Sequence, residues 1–177
     1  MFKKIVMVEV FNDPIKLLAT LILTQLVASL IVDHLGYNQL EVFRRILSCH
    51  CWEHEGAFYQ QYFGVKKWKD RLPEMGSNTP SQFRKNKMES TKVDYLYQFI
   101  LETVRAELCH GLSFAFGLLI IINNQPRLML MAILYIVSIN IPFIIIQRYN
   151  RPRLEKLLEK ISNSTEEFLV PVKSLYN

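Results

Sequence analysis

The sequence predicts an all-α integral membrane protein with an N-terminal anchor helix, interfacial helices and a C-terminal hydrophobic helical hairpin. Three observations carry this expectation. Apolar residues make up 50% of the chain and are clustered. They gather in three blocks, Ile15 to Val32, Leu112 to Ile122 and Leu128 to Ile146, where roughly 20 residues cover a bilayer core. Between the first two blocks lies a charged and aromatic region whose last part keeps a helical period. At 177 residues the chain is sized for about one domain. It reads as a single membrane domain with hydrophobic segments at about 14–35, 110–123 and 126–147, an interfacial region at 36–109 and an amphipathic tail at 148–177.

The elements follow in order. Residues 1–13 form a short amphipathic start. Asp13-Pro14 opens the first helix, with proline at a first-turn position; the helix runs to about Asp33 and Gly36 ends it. Lys3, Lys4 and Lys16 accompany this block, and Asp33-His34-Leu35-Gly36 follows it in place of a small-residue cleavage site, so it reads as a retained anchor. Residues 37–48, with Arg44-Arg45, alternate polar and apolar and suit an interfacial helix. Residues 49–76 interleave tryptophan and tyrosine with lysine, the composition of a segment at headgroup level. Gly76 to Pro80 is a loop signal, and Ser81 to Thr91 is polar and basic.

Val93, Leu96, Tyr97, Ile100, Val104 and Leu108 follow one face of a helix. Glu107 falls inside that apolar stripe, His110 at its edge and Arg105 on the opposite side. The second block is too short to span by itself, so its helix must begin inside the charged run. Counting back about 20 residues from Asn123 reaches Thr103 or Val104, which sets Glu107 and His110 at or below the membrane surface. Asn123 to Arg127 is the hairpin turn. The last apolar helix contains Ser138, Asn140 and Pro142. An asparagine at that depth bonds a neighbouring helix, and Pro142 kinks the helix or releases a carbonyl.

Basic residues after the last helix (Arg148, Arg151, Arg153, Lys156, Lys160) and before the hairpin (Lys92, Arg105) outnumber Arg127 in the turn. The large loop and the tail therefore share the cytoplasmic side. Three spans would then put the N-terminus outside, which Lys3, Lys4 and Lys16 oppose. The net charge of +5 fits anionic lipid better than nucleic acid. Cys49, Cys51 and Cys109 make no disulfide framework.

The chemistry centres on Glu107 and His110, three residues apart and so on one helix face. A neutral imidazole there can take a proton from an attacking hydroxyl or amine, and the carboxylate can hold its tautomer; the alternative is a pair that only caps and orients helices. Glu53, His54 and Glu55 lie beside Cys49, His50 and Cys51. The spacing is wrong for a zinc ribbon, so no metal is expected, and one carboxylate is assigned to the substrate pocket or, alternatively, to a solvated turn. Tyr59, Lys66 and Trp68 can hold a phosphate or sugar headgroup or simply anchor at the interface. Arg148, Asn150, Arg151 and Arg153 can bind phosphate or carboxylate or serve as a topogenic cluster. No nucleotide loop, serine elbow or His-Glu-x-x-His motif occurs.

Four runs resemble a known family. They are Glu53 through Gly56-Ala-Phe-Tyr59, Val65-Lys-Lys-Trp-Lys69, Glu102-Thr-Val-Arg-Ala-Glu-Leu-Cys-His110, and Gln147-Arg-Tyr-Asn-Arg-Pro-Arg-Leu154 with Pro126-Arg127-Leu128 before it. In order and content they resemble the glycosyl-4,4'-diaponeurosporenoate acyltransferases, small membrane acyltransferases of the staphyloxanthin pathway. The resemblance covers roughly residues 50–154. It implies transfer of a fatty acyl group to a membrane-embedded acceptor, which in that pathway is a glucosyl hydroxyl on a carotenoid. The expected roles are His110 as general base, Glu107 as its orienting group, and Arg105, Arg148, Arg151 and Arg153 at the anionic part of the donor or the oxyanion. Glu53, Tyr59 and Trp68 are expected on the acceptor side.

The expected partners are membrane lipids, an acyl donor (acyl-CoA, acyl carrier or phospholipid), a lipid-linked acceptor and a second membrane or lipase-like protein, with no nucleic acid. Acyl transfer needs no cofactor. The expected location is a bacterial cell membrane, crossed more than once. Two alternatives stand beside this reading: acylation of a lipoprotein amino terminus from a phospholipid, and a non-enzymatic lipid-binding or assembly subunit.

Overall fold

The computed structural model describes residues 13–72, 90–121 and 126–174, with side chains to residue 163. The expected amphipathic start, the Gly76–Pro80 loop, the basic stretch up to residue 89 and the tip of the hairpin turn lie outside those residues. The described residues are helical, without a strand. Helix α1 is Pro14–Asp33, α2 is Tyr37–Ile46 and α3 is Ala57–Phe63. Short 3-10 turns cover Cys51–Gly56, Val65–Lys67 and Lys69–Arg71. Helix α4 is Val93–Ile121 and α5 is Pro126–Ser174. Helices α1, α4 and α5 are long and apolar enough to cross a membrane.

Local sequence explains the helix ends. Asp13 caps α1: its Oδ1 accepts from the Ile15 N–H at 2.9 Å and the Lys16 N–H at 3.5 Å, and Pro14 needs no donor at the first position. At the other end, Arg105 donates to the carbonyls of Val32 (2.7 Å) and Leu35 (3.2 Å). A cation there satisfies orphan carbonyls and complements the helix dipole. Helix α1 ends at Asp33 with His34 as its cap, so termination precedes Gly36. Helix α4 starts well inside the charged run, as its span length requires. Helix α5 is not broken at Pro142. Proline has no N–H, so Ser138 loses its usual acceptor bond there while the helix continues.

The chain packs as two compact units, residues 1–36 with 105–145 and residues 37–104 with 146–177. Both α4 and α5 run through the two. In the first unit, Leu17, Leu21, Ile121, Ala132 and Ile136 form a buried apolar cluster. Gly117 lets α4 and α5 approach closely: a Cβ there would lie 2.8 Å from Ile136 Cγ2. Leu18, Ile22, Leu26 and Leu30 on α1 remain exposed, as lipid-facing positions require.

In the second unit, Leu40, Val65, Leu96, Ile100, Leu101 and Val104 are buried. Arg44 forks onto Glu41 (2.7 and 2.9 Å) and reaches Glu155 (2.8 Å), and the Tyr97 hydroxyl donates to Glu41 at 3.0 Å. This network closes α2 against α4 and α5 within the unit. Trp52, Tyr62 and Phe63 stay exposed near exposed Lys66 and Lys67.

Candidate functional site

Two polar constellations stand out, one in each unit. In the first, α1, α4 and α5 bring neutral polar side chains to His110. Its Nδ1 lies 3.1 Å from Asn140 Oδ1 and 3.4 Å from Gln25 Nε2. The Ser113 hydroxyl donates to Gln25 Oε1 at 2.6 Å, and Asn140 Nδ2 donates to the Ile136 carbonyl at 2.9 Å. The Phe143 ring stacks on the imidazole at 4.7 Å with an interplanar angle of 9°. Asn140 and Ser113 are buried and His110 is half-buried. Such groups persist among apolar helices only when hydrogen-bonded. Glu107 is also buried, one turn before His110 on α4. Sequence spacing nominated Glu107 as the group holding the tautomer; the structure adds two amides at Nδ1, from α1 and α5. Asn140 was legible as a polar residue seeking a neighbouring helix, but its partner was not. Arg105, in the same unit, spends hydrogen bonds on the end of α1.

The second constellation is built around Glu53, which is 1% exposed. Its Oε1 accepts from Arg148 Nε at 2.7 Å and from the Tyr59 hydroxyl. Its Oε2 accepts from the His50 N–H at 2.6 Å and from Arg148 Nη2. Four donors saturate the carboxylate. Burial pushes the Glu53 carboxyl up, but hydrogen bonds from Arg148, Tyr59 and the His50 backbone bring it down to about 2. Burial, and then the bond to Glu53, push the Tyr59 hydroxyl up to about 12. Arg148 also donates to the Leu47 carbonyl and to His50 Nδ1, each at 3.0 Å. His50 therefore presents a lone pair to Arg148.

The turn that delivers Glu53 is strained. His54 and Glu55 have φ of 46° and 56°, ahead of Gly56 at 82°. Two left-handed non-glycine residues in succession carry a conformational cost. Within this unit Lys156 pairs with Glu55, and Gly56 abuts α5: a Cβ would stand 2.9 Å from the Tyr149 carbonyl and 2.7 Å from Arg153 Nη1. Pro152 removes the N–H that the Arg148 carbonyl would accept, at the place where Gly56 approaches the α5 backbone.

The remaining candidates fall into place around this turn. Arg151 is buried and donates to Thr103 Oγ1 (2.9 Å), the Thr103 carbonyl (3.2 Å) and the Leu47 carbonyl (3.0 Å). Arg153 is exposed, and its guanidinium lies 3.7 Å over the Tyr149 ring. Asn150 is half-buried on α5. The Lys66 side chain is exposed, and Trp68 Nε1 donates to the Phe63 carbonyl at 2.8 Å. Glu53, Tyr59 and Arg148 thus meet directly, while Lys66 and Trp68 belong to the neighbouring 3-10 segment. Gln25 and Ser113 gave no motif signal, because each takes its place through a partner distant in sequence.

Comparison with known proteins adds an independent finding. A family model described as glycosyl-4,4'-diaponeurosporenoate acyltransferase matches residues 41–160. The glycosyl-4,4'-diaponeurosporenoate acyltransferase of Staphylococcus haemolyticus (strain JCSC1435) is 36% identical over 119 residues, covering 67% of this chain and 67% of its own. That of Staphylococcus aureus (strain Newman) is 36% identical over 115 residues, covering 64% of this chain and 68% of its own. No solved structure matches the chain.

Proposed function

We propose, since the chain belongs to the glycosyl-4,4'-diaponeurosporenoate acyltransferase family, that it is a multi-pass enzyme of the cell membrane that moves a fatty acyl group onto a hydroxyl of a glycosylated, membrane-embedded lipid or carotenoid. The observation that carries the catalytic part is His110, half-buried among apolar helices and ordered by Asn140, Gln25 and Phe143. A neutral imidazole so placed can take the proton of an alcohol as it attacks an acyl carbonyl.

The steps balance without a cofactor. The acceptor oxygen forms a bond to the acyl carbonyl carbon as its proton moves to His110. The tetrahedral intermediate then collapses, the bond to the donor's leaving group breaks, and the imidazolium returns its proton to that group. Glu107, one turn away on the same helix face, offsets the charge of the imidazolium formed on the way. The donor is an acyl thioester or a phospholipid, since either supplies an activated acyl carbon.

In the second unit, Glu53 is fully committed to Arg148, Tyr59 and the His50 N–H, so its role is to hold the turn. Arg148 and Arg151 are likewise engaged by carboxylate, hydroxyl and carbonyl oxygens. Arg153 is the arginine of this cluster that reaches the surface, and it is the cation offered to an anionic lipid or donor group. Exposed Trp52, Tyr62 and Phe63 with Lys66 and Lys67 suit the headgroup layer.

The test is mass spectrometry of lipids and lipoproteins from cells with and without the chain. Loss of an acylated glycolipid or carotenoid on deletion is the expected result. A change confined to lipoprotein amino termini would reassign the acceptor to an amine, and an unchanged profile in both classes contradicts the acyltransferase reading.

A further inference from the structure

The partner at Nδ1 decides which nitrogen of His110 can act. A neutral imidazole carries one N–H and one lone pair, and the hydrogen bond at either nitrogen selects the tautomer. Two amides from different helices meet Nδ1, Asn140 Oδ1 at 3.1 Å and Gln25 at 3.4 Å. An oxygen facing Nδ1 requires a proton there; an NH2 group facing it requires a lone pair. The two requirements are opposite, so the rest of the network must decide.

Asn140 has no freedom in the matter. Its Nδ2 lies 2.9 Å from the Ile136 carbonyl, which can only accept, so the NH2 group must face Ile136 and the oxygen must face His110. Asn140 is 1% exposed, so no solvent relieves a reversed amide. Gln25 does have freedom. Its other amide atom lies 2.6 Å from the Ser113 hydroxyl, and a hydroxyl serves equally as donor or acceptor. Turning the Gln25 amide over, so that its oxygen faces His110 and its NH2 faces Ser113, pairs a donor with an acceptor at every one of these contacts. The shorter contact and the constrained amide agree.

Resting on the reading of His110 as the base, we infer that Asn140 is a positioning residue that holds His110 as the Nδ1–H tautomer and leaves the lone pair on Nε2. Phe143, stacked at 4.7 Å with 9° between the planes, fixes the ring plane, so the direction of the Nε2 lone pair is set as well. A neutral amide does this without placing a charge among the apolar helices. The general logic is that of a base–orienter pair, with the orienter on the opposite arm of the hairpin, thirty residues away in sequence. The acceptor's proton is accordingly taken at Nε2.

The direct test is nitrogen-15 NMR of full-length protein labelled at histidine, in lipid nanodiscs. His110 is assigned by the signals missing from the His110→Gln variant. The wild type is expected to show a protonated Nδ1 and an unprotonated Nε2. Asn140→Leu removes the constrained acceptor at similar size and frees Gln25 to turn its NH2 group toward Nδ1, so the Nε2–H form should rise at least tenfold relative to wild type. Gln25→Leu should leave the wild-type tautomer in place. In membranes, Asn140→Leu should lower kcat at least tenfold with KM within about threefold, a split expected when positioning rather than binding is lost. A wild-type spectrum with the proton on Nε2 overturns the inference whatever the variants do, and needs no variant to fold. An Asn140→Leu protein that keeps the wild-type tautomer also overturns it. If Nδ1–H is found but wild-type membranes transfer no acyl group, the acyltransferase reading fails while the assignment of Asn140 stands.

Discussion

Replacing Glu53 by Gln should destabilise the protein by about 3 kcal/mol, because the carboxylate is the acceptor for four donors in a buried turn. The magnitude follows from two independent routes. The carboxyl is held at about 2 against an ordinary 4.5, and each pH unit of such a difference corresponds to about 1.4 kcal/mol. Removing one partner of a buried ion pair costs about 3–5 kcal/mol, because the other charge loses its compensation. In Glu53→Gln, one oxygen becomes an NH2 group that must face either Arg148 or the donors at the other oxygen. The sign of the pH dependence follows from the depressed folded value. The contribution is fully present above pH 4.5 and is lost as pH falls toward 2.

The assay is thermal unfolding of both proteins in the same detergent between pH 8 and pH 3. At neutral pH the variant should melt on the order of 10 °C lower. The gap should stay level down to about pH 5 and narrow below it. The double variant Glu53→Gln with Arg148→Gln should cost less in total than the two single changes summed, since both remove one interaction. A Glu53→Gln protein that melts within about 2 °C of wild type at pH 7 would refute the reasoning.

Three further outcomes follow from the packing. Gly56→Ala should destabilise by about 2–3 kcal/mol, read as a lower melting midpoint, because the φ of 82° and a Cβ 2.9 Å from the Tyr149 carbonyl both oppose it. Arg105→Gln should cost about 1–2 kcal/mol by uncapping α1, and a protease site inserted after Asp33 should be cut faster in that variant. Gly117→Leu should cost about 2 kcal/mol or more by driving α4 from α5 at Ile136, whereas Gly111→Ala, with open space at its Cβ, should be neutral within about 0.5 kcal/mol.

Much of the fold was legible because helix ends and spans are local properties. Asp13-Pro14 announced α1, and the shortness of the Leu112–Ile122 block required α4 to begin in the charged run. The apolar stripe from Val93 to Leu108 gave that run its helix, and its phase put Glu107 where the structure buries it. The site was legible only in outline. Glu53, His54 and Glu55 are equivalent by spacing; one carboxylate is buried because the left-handed turn directs Glu53 inward and leaves Glu55 to Lys156. Arg148 and Arg151 read as substrate-binding candidates, and their engagement inside the protein was not legible because their partners are largely backbone carbonyls of Leu47, Ser48 and Thr103, which carry no side-chain signature. Gln25 and Asn140 lie far from His110 in sequence, so only the packed hairpin and anchor helix reveal them as its partners.

The central claim is that His110 is the base for acyl transfer, and one measurement addresses it most directly. Membranes carrying wild-type protein or His110→Gln, matched for protein level and melting midpoint, are supplied with acyl donor and the membrane acceptor found by mass spectrometry, and product formation is timed. Loss of a general base lowers the rate by about 100-fold or more, and that drop at unchanged stability is the expected result. Product formation by His110→Gln within threefold of wild type would contradict the account.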